Sequence, residues 1–378
     1  MTLSLTLVLL VVVIALVFEY INGFHDTANS IATVVATKVL SPGQAVMLAA
    51  GTNLVGALWG TAVAKTIASG LVDTGVVAVT PQVLICALLG AIIWDLITWW
   101  WGLPSSSSHA LVGGLCGAAL AAAHDNWASI IWWEAGEHWW SGRGLMPKVI
   151  LPMFSSPLIG FVFGFLIMGV IYALVGFLGA REGRLQKFGR PRFLNGFFGK
   201  AQILSASAMG LSHGMNDAQK TMGIIALALA GATAAGTFEG LPDMLSFLRI
   251  EEDAGKQFEI ALWIKIVCAL VMAAGTAAGG WRIIKTLGHK MVKLHPVNGF
   301  AAETASATVI IAASHFGIPV STTHNISSAI MGVGAAKRFS AIRWTIVERM
   351  VWAWLLTIPI TAALAWMLVR VLQSLGLD

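Results

Sequence analysis

Long apolar stretches along the chain alternate with short polar ones. Eight of these stretches hold the roughly 20 mostly apolar residues that a membrane-spanning helix needs. They lie near residues 4–40, 44–68, 78–101, 149–179, 201–233, 258–281, 298–316 and 345–372. The first and fifth are longer than one span and carry polar residues near their middle, which predicts a break or kink in each. We expect about 10–12 membrane elements in all.

Two further apolar runs, 104–123 and 319–336, begin with clusters of polar residues. This arrangement is typical of re-entrant or short helices, whose ends lie inside the protein and not at the membrane surface. The pattern as a whole therefore predicts an all-α polytopic membrane protein with broken helices and two re-entrant hairpins.

The composition supports this fold class. Of the 378 residues, 57% are apolar and 11% are charged, whereas an average soluble domain carries about 25% charged residues. An ordinary soluble globular protein is thereby excluded. The formal net charge of +5 comes from basic residues clustered in a few loops, where orientation in a membrane accounts for them. The expected partner is the lipid bilayer and not a nucleic acid.

The net charge of each polar loop predicts the side of the membrane on which the loop lies. Residues 181–200 and 282–293 are strongly basic, so both should be cytoplasmic by the positive-inside rule. Residues 239–259 are mainly acidic and should be external. No Lys or Arg precedes Lys38, so the start of the chain should be external too.

The chain also contains an internal duplication of two motifs. NGFHDTANSIA at 22–32 is matched by HGMNDAQKTMG at 213–223, and GLPSSSSH at 102–109 by GIPVSTTH at 317–324. The first copy starts outside and the second inside, which predicts inverted repeats. We expect residues 1–180 and 201–378 to form the two repeats, joined by the basic cytoplasmic loop 181–200. Inverted repeats with broken helices are typical of secondary transporters, whose site lies at the repeat interface near the bilayer midplane.

The hydroxyl clusters of the second motif suit an oxyanion. Pro104 and Pro319 suit the first turn of a helix, where free backbone N–H groups and a partial positive charge favour anions. Two such helix ends from inverted halves would enclose one tetrahedral oxyanion. Alternatively, the hydroxyls bond back to helix carbonyls. The candidate residues for binding this oxyanion are Ser105, Ser106, Ser107, Ser108, Ser321, Thr322 and Thr323.

The first motif places one acid in each half, Asp26 and Asp217. A charge within the membrane costs about 2.5–3.5 kcal/mol on insertion scales, so each acid should face a cavity or a cation. A carboxylate near the anion also accepts the O–H of hydrogen phosphate, which sulfate lacks at neutral pH, and so favours phosphate. The alternative is an internal salt bridge that only packs helices.

Two positions break the symmetry between the copies. Asn29 aligns with Lys220. The Lys220 ammonium can replace a cation that an Asn oxygen would bind at the corresponding place; alternatively, the Lys220 side chain snorkels to the membrane interface. His25 aligns with Asn216 and can carry a proton or serve as a structural histidine. Asp95 and Glu303 precede the hydroxyl clusters and brace them or form proton sites. The candidate coupling residues are His25, Asp26, Asn29, Asn216, Asp217, Lys220 and Glu303.

These segments resemble the paired signatures of the inorganic phosphate transporter (PiT) family. The resemblance rests on GFHDTANSIATVVATKVLSP, SHGMNDAQKTMGII, GLPSSSSHALVGG and GIPVSTTHNISSAIMGVGAAKR, and covers both halves. It implies an inverted-repeat membrane fold, phosphate held between two re-entrant hairpins and cation-coupled uptake. It also implies a multi-pass protein of the bacterial inner membrane, and a homodimer is expected from the resemblance alone.

The coupling ion separates branches of this family. Sodium-coupled members carry G-x-N-D-x-x-N in both copies, whereas this chain has His25 in the first copy and Lys220 in the second. It is similar to the bacterial low-affinity branch, which is implied to use protons and to accept metal–phosphate complexes. We therefore expect proton-coupled symport of inorganic phosphate into the cell by alternating access. No cofactor is expected besides the co-transported proton, with sodium or a divalent metal bound to phosphate as the alternatives.

Several other functions stay open at this point. Sodium-coupled phosphate symport and transport of another tetrahedral oxyanion, such as sulfate, would keep the fold. An intramembrane hydrolase using Ser and His of SSSSH is disfavoured, because a catalytic pair need not occur twice in mirrored halves. Phosphate accumulation against its gradient would exclude an anion channel.

Overall fold

A computed structural model of the protein describes residues 3–136, 142–180, 190–250 and 260–377. Within these ranges the chain forms α-helices and no strand, which confirms the all-α prediction. The helices are α1 (Leu3–Ala36), α2 (Pro42–Ala57), α3 (Ala62–Ser69), α4 (Pro81–Trp101), α5 (Ser107–Ala122), α6 (Leu151–Ala180), α7 (Pro191–Ala234), α8 (Leu262–Ala278), α9 (Trp281–Lys285), α10 (Pro296–His315), α11 (Thr322–Lys337) and α12 (Trp344–Ser374).

Several of these helices are long and apolar enough to cross a membrane. Among the described residues there are four: α1, α4, α12, and α6 together with the π-helical turn Met146–Ile150 before it. The count rises to six if each of two bent helix pairs forms one span. The protein is therefore a multi-pass membrane protein.

The breaks do not lie where the sequence predicts them. The first and fifth segments are continuous helices, α1 of 34 residues and α7 of 44 residues. Neither has a proline in its interior, and their mid-helix polar side chains bond to neighbouring helices without interrupting the backbone. The chain instead bends by 71° between α2 and α3 and by 57° between α8 and the segment that begins with α9.

Two helical hairpins, α4–α5 and α10–α11, confirm the short helices expected after the polar clusters. Helices α5 and α11 have 16 residues each, fewer than a span needs. Gly102 and Gly317 follow α4 and α10 with φ of 64° and 63°, a left-handed conformation that glycine adopts without strain. Thr286 Oγ1 donates a hydrogen bond to the Gly102 carbonyl oxygen over 2.8 Å, and Thr66 Oγ1 donates one to the Gly317 carbonyl oxygen over 2.7 Å.

The two prolines of the hydroxyl motifs lie outside the helices, contrary to the prediction. Helices α5 and α11 begin at Ser107 and Thr322, so Pro104 and Pro319 belong to the extended connections before them. A serine caps each helix and sets its start, and the Pro104 carbonyl accepts a hydrogen bond from Trp354 Nε1 over 2.9 Å.

The helices of one half pack against those of the other. Hairpin helix α5 contacts α12, and α11 contacts α6; likewise α2 contacts α7, and α8 contacts α1. The first half of α1 and the last half of α7 belong to one apolar cluster. The last half of α1 and the first half of α7 belong to a second apolar cluster. Helices α1 and α7 therefore run in opposite directions. The inverted orientation of the complete halves, 1–180 and 201–378, stays a prediction.

Two of the predicted loops contain helix. Helix α7 begins at Pro191, so residues 191–200 of the expected basic loop are helical. Proline favours the first helical position because its missing N–H has no intrahelical partner there. Much of 282–293 is α9 and the π-helical turn Thr286–Met291. Residues 181–189 and 251–259 of the charged loops lie outside the described residues.

An exposed ion pair joins the end of α5 to α12. Asp125 follows α5 and accepts hydrogen bonds from Trp366 Nε1 over 2.7 Å and Arg370 Nη2 over 2.6 Å. The hydrogen bond from Trp366, together with the Arg370 guanidinium, holds the pKa of Asp125 below its usual value.

Candidate functional site

The first turns of α5 and α11 are built alike. Ser106 Oγ accepts a hydrogen bond from the His109 backbone N–H over 3.2 Å, and Ser321 Oγ accepts one from His324 N–H over 3.1 Å. Both are N-cap contacts, which satisfy backbone donors that the helix itself leaves free. These two hydroxyls therefore shape the hairpin tips, defined here as Ser105–Ser108 and Ser321–Thr323.

The two hairpin tips meet at one carboxylate of α7. Ser108 Oγ donates to Asp217 Oδ1 over 3.4 Å, and Thr322 Oγ1 donates to Asp217 Oδ2 over 2.8 Å. Thr323 Oγ1 donates to Asp26 Oδ1 on α1 over 3.3 Å. All of these side chains are buried. The structure thus brings both hydroxyl clusters and both predicted acids into one polar centre.

Asp217 is surrounded by basic groups. Lys220 Nζ donates to Asp217 Oδ1 and to Ser108 Oγ, and it lies 3.3 Å from the Val320 carbonyl oxygen. His213 Nε2 lies 2.9 Å from Asp217 Oδ2. Lys220 is only 2% exposed, so its ammonium does not snorkel to the interface.

Asp26 has a different partner set. His25 Nδ1 lies 2.8 Å from Asp26 Oδ1, and His25 Nε2 lies 3.1 Å from Thr98 Oγ1. Ser105 Oγ donates to Thr98 over 2.8 Å. Ser105 therefore joins the imidazole side of the centre, whereas its neighbour Ser108 faces Asp217.

Asn29 occupies, in the first half, the place that Lys220 has in the second. Its Nδ2 donates to Thr322 Oγ1 over 3.1 Å and to Thr323 Oγ1 over 2.9 Å. Asn29 thus binds the tip of α11 as Lys220 binds that of α5. The amide oxygen Oδ1 of Asn29 is buried and meets no donor among the described residues.

Two predicted coupling residues lie outside this centre. Asn216 Nδ2 donates to Ser314 Oγ over 2.9 Å and to the Ile318 carbonyl over 3.2 Å, and so holds α7 against the α10–α11 connection. Glu303 accepts hydrogen bonds from Thr33, Ser205 and, over 3.2 Å, Gln202 Nε2. Thr33 is about two helical turns beyond Asp26 on α1, so Glu303 forms a separate buried cluster.

The centre presents both anionic and cationic groups to a ligand. Asp26, His213 and Asp217 each offer one ligand atom, and these atoms lie within 4.8 Å of one another. The Lys220 ammonium already lies against Asp217, where a cation would otherwise bind. Ser107 Oγ is buried and meets no acceptor within the usual hydrogen-bond geometry among the described residues, although it lies near the Asp95 carboxyl.

An oxyanion cannot enter this centre without a change in protonation or charge. The hydroxyl protons of Ser108, Thr322 and Thr323 now point to carboxylates. A negative ligand placed between Asp26 and Asp217 would meet like charge at short range, which is costly where water is excluded. A proton or cation that enters with the anion removes this cost.

Residues that no motif identified complete the centre. Thr98 bridges His25 and Ser105, and it lies in an apolar run that carries no signal. Asn53 Oδ1 lies 3.2 Å from His213 Nδ1; an amide within an apolar segment is a signal that sequence reasoning passed over. Glu19 accepts a hydrogen bond from Thr221 and joins α1 to α7.

The ring of His109 does not pair with a serine of its own motif; the serine–histidine contact of this motif is that of Ser105 Oγ with His25 Nε2, 3.5 Å away. Both ring nitrogens of His109 are buried without a hydrogen-bond partner among the described residues. The His109 ring instead packs edge-on against His324, with ring centres 4.8 Å apart. The geometry needed to activate a serine is therefore absent at this position in the described structure.

Comparison with known proteins places these motifs in a family. The sequence profile described as "Phosphate transporter family" matches residues 22–365. A "Probable low-affinity inorganic phosphate transporter" of Rhizobium meliloti (strain 1021) is 42% identical over 365 residues, 96% of each chain. A protein of Bacillus subtilis (strain 168) with the same description is 40% identical over 364 residues, again 96% of each chain.

A solved structure shares the fold. "The sodium-dependent phosphate transporter" superposes with a TM-score of 0.77 at 23% identity, and the match covers 98% of this chain and 99% of that one. The two chains therefore share one helical fold over nearly their full lengths.

Proposed function

The chain belongs to the phosphate transporter family, and from this premise we propose that it is a proton-coupled symporter carrying inorganic phosphate into the cell across the bacterial inner membrane. Members of the family are transporters and not enzymes, and phosphate is the transported substrate. The coupling ion, the direction and the roles of individual residues are the parts that we propose.

One observation carries the proposal: hydroxyls of both hairpin tips bond to the same carboxylate. Ser108 and Thr322 come from opposite halves of the chain and meet at Asp217. A phosphate that takes the place of this carboxylate between the tips would receive hydroxyls from both halves. Movement of either half relative to the other then opens the site to one side of the membrane, which is alternating access.

Protons are the favoured coupling ion because a fixed cation already sits beside Asp217. The buried Lys220 ammonium satisfies the charge that a sodium ion would balance there. On the other side, Asp26 pairs with the titratable ring of His25. Protonation of this pair neutralises the centre when phosphate enters, and loss of the proton on the other side of the membrane favours release.

Phosphate is favoured over sulfate by the same carboxylates. Hydrogen phosphate brings an O–H that Asp26 or Asp217 accepts, whereas sulfate offers only acceptors and would leave two carboxylates facing it. Asp26, His213 and Asp217 also suit a divalent metal that travels with phosphate as part of the substrate.

Sodium coupling is a second candidate, and a specific observation favours it. The amide oxygens Oδ1 of Asn29 and Asn216 are both buried without a donor among the described residues. A buried carbonyl-type oxygen without a donor is costly unless a cation or water satisfies it. Of the two, Asn29 lies at the hairpin tips, where its Nδ2 bonds to Thr322 and Thr323, so a sodium ion bound there would enter near the phosphate.

Transport by the purified chain in liposomes tests the proposal. Phosphate counterflow and uptake are measured with a pH gradient and a sodium gradient imposed separately, and with sulfate as competitor. We expect accumulation with an inward proton gradient in sodium-free buffer, and little competition by sulfate. Uptake that requires sodium and ignores the pH gradient would establish the second candidate instead.

A further inference from the structure

A second polar region lies away from the hairpin tips. A cavity of about 920 Å³ opens where α6, the first turns of α7 and α10, and the end of α11 come together. None of the hairpin-tip residues lines it. Its floor is apolar and buried, formed by Met168, Phe198, Val292 and Leu294. The cavity is therefore a separate site.

The rim of the cavity is basic. No acidic residue lines it, and no acidic side chain in the described part of the chain forms an ion pair with its cations. Such a concentration of uncompensated positive charge attracts anions. The basic rim residues are His289, Lys293, His295, Lys337, Arg338 and Arg343.

Backbone and amide donors add to this positive character. The first turns of α7 and α10, at Pro191 and at Val297, line the cavity, and a helix start carries free N–H groups and a partial positive charge. Asn298 is buried, and the one acceptor that its Nδ2 meets among the described residues is the Met168 thioether sulfur, 3.5 Å away. A thioether is a weak acceptor, so this donor remains under-satisfied.

One wall of the cavity belongs to α6, which is the least buried of the four candidate membrane spans among the described residues. Ile171, Tyr172 and Val175 of α6 line it, and the neighbouring Leu174 is 55% exposed. Helix α6 is one of the long apolar helices. The cavity thus combines a basic rim with an apolar wall that continues onto the exposed apolar side chains of α6.

We propose that this cavity binds the phosphate-bearing headgroup of an anionic phospholipid, with its acyl chains along α6. Basic pockets between membrane helices recognise such headgroups by charge. Free inorganic phosphate shares the headgroup chemistry and is the other source of ligand. One of its basic residues, Lys337, ends the helix whose first turn carries Thr322 and Thr323.

Lipid binding to the full chain tests this assignment. Native mass spectrometry in detergent compares dioleoyl phosphatidylglycerol with dioleoyl phosphatidylcholine, on the wild type and on the variant Lys337→Gln/Arg343→Gln. The matched control is Lys200→Gln/Lys290→Gln, which removes two exposed charges that do not line the cavity. Each basic group near a membrane surface contributes about fivefold in affinity, so the cavity variant should bind phosphatidylglycerol about 30-fold more weakly.

Competition identifies the source of the phosphate group. We expect phosphatidylglycerol to stay bound when inorganic phosphate is added, to the same extent as with chloride at the same ionic strength. Displacement by phosphate would assign the cavity to free phosphate and overturn the assignment to a lipid. Equal binding of the two lipids, or wild-type affinity in the cavity variant, would overturn the site altogether. If the double variant is not monodisperse, Lys337→Gln alone should weaken binding about fivefold.

Discussion

Ser108 Oγ on α5 donates a hydrogen bond to Asp217 Oδ1 on α7 over 3.4 Å. The residues that align with them in the other half, Thr323 and Asp26, make the same contact over 3.3 Å. Each hairpin tip is therefore tied to a carboxylate on a long central helix. Because these carboxylates occupy the hydroxyls that an oxyanion needs, they are the natural link between phosphate binding and the coupling ion.

Neutralising Asp217 should abolish coupled uptake and weaken the fold. Asp217→Asn leaves the buried Lys220 ammonium without its counter-charge, and breaking a buried pair in this way costs about 3–5 kcal/mol. Phosphate accumulation in proteoliposomes and the Tm in detergent are the measurements. Asp125→Asn is the matched control, since it breaks an exposed pair with Arg370 worth about 0–1 kcal/mol. Normal accumulation in Asp217→Asn would remove Asp217 from the mechanism.

Asp26→Asn separates coupling from stability. Asp26 pairs with a histidine and not with a lysine, so the variant leaves no fixed buried cation unpaired. We expect it to keep a Tm near that of the wild type and to lose accumulation driven by a pH gradient. Retention of proton-driven accumulation in Asp26→Asn would show that this carboxylate carries no coupling charge.

Replacing Lys220 tests whether its ammonium replaces a cation. Lys220→Asn restores the residue type of the first copy, Asn29, and leaves Asp217 without a fixed positive partner. We expect uptake in sodium-free buffer to fall and added sodium to restore part of it, because a free cation can then occupy the vacated place. Lys200→Asn is the control at an exposed position of the same helix. Uptake by Lys220→Asn that sodium does not change would contradict this interpretation.

The hydroxyl of Thr322 should affect substrate affinity. Thr322→Val keeps the side-chain volume but removes the hydroxyl that we assign to phosphate, and a hydrogen bond to a charged group is worth about 1.5–3 kcal/mol. We expect the KM for phosphate to rise by roughly tenfold or more. Thr308→Val serves as the control, because Thr308 is exposed and, in the described part of the chain, its hydroxyl bonds to the Thr304 carbonyl of its own helix alone. An unchanged KM would place the oxyanion away from the α11 tip.

Close helix contacts hold the hairpins in place. A Cβ added at Gly117 on α5 would lie 2.1 Å from the Ala362 carbonyl oxygen, and one at Gly332 on α11 would lie 2.0 Å from that of Phe161. Either Gly→Ala change should lower stability by about 1–3 kcal/mol through overpacking, measured as Tm in detergent. Gly169→Ala on α6, where no atom of the described residues lies within 4 Å of the added Cβ, should have little effect. If Gly169→Ala lowered the Tm as much as the changes at Gly117 and Gly332, close helix contact would not be the cause of the destabilisation.

The apolar pattern predicted most of the fold because a bilayer permits few solutions. Helices must satisfy their own backbone in lipid, so long apolar runs become helices, and the 16-residue α5 and α11 were recognisable from their polar starts. The same pattern misplaced the breaks. Polar residues in α1 and α7 suggested interruptions, but their side chains found partners on other helices, and such long-range pairing is invisible in a local window.

The candidate site was predictable as far as the duplication reached. Asp26, Asp217 and the hydroxyl residues stand in repeated motifs, and the structure brings them together. Glu303 also seemed close to them by position in the chain, yet it bonds to Thr33, Ser205 and Gln202. Thr98 belongs to no repeated motif. Its contribution depends on which face of α4 it occupies, since that face places it between His25 and Ser105.

An experimental structure of the protein with phosphate bound tests the central claim most directly. The account predicts the phosphate between the two hairpin tips, with oxygens within hydrogen-bond distance of Ser107 or Ser108 on α5 and of Thr322 or Thr323 on α11. A phosphate that contacts only one tip, or lies elsewhere while the tips remain bonded to Asp217 and Asp26, would contradict it.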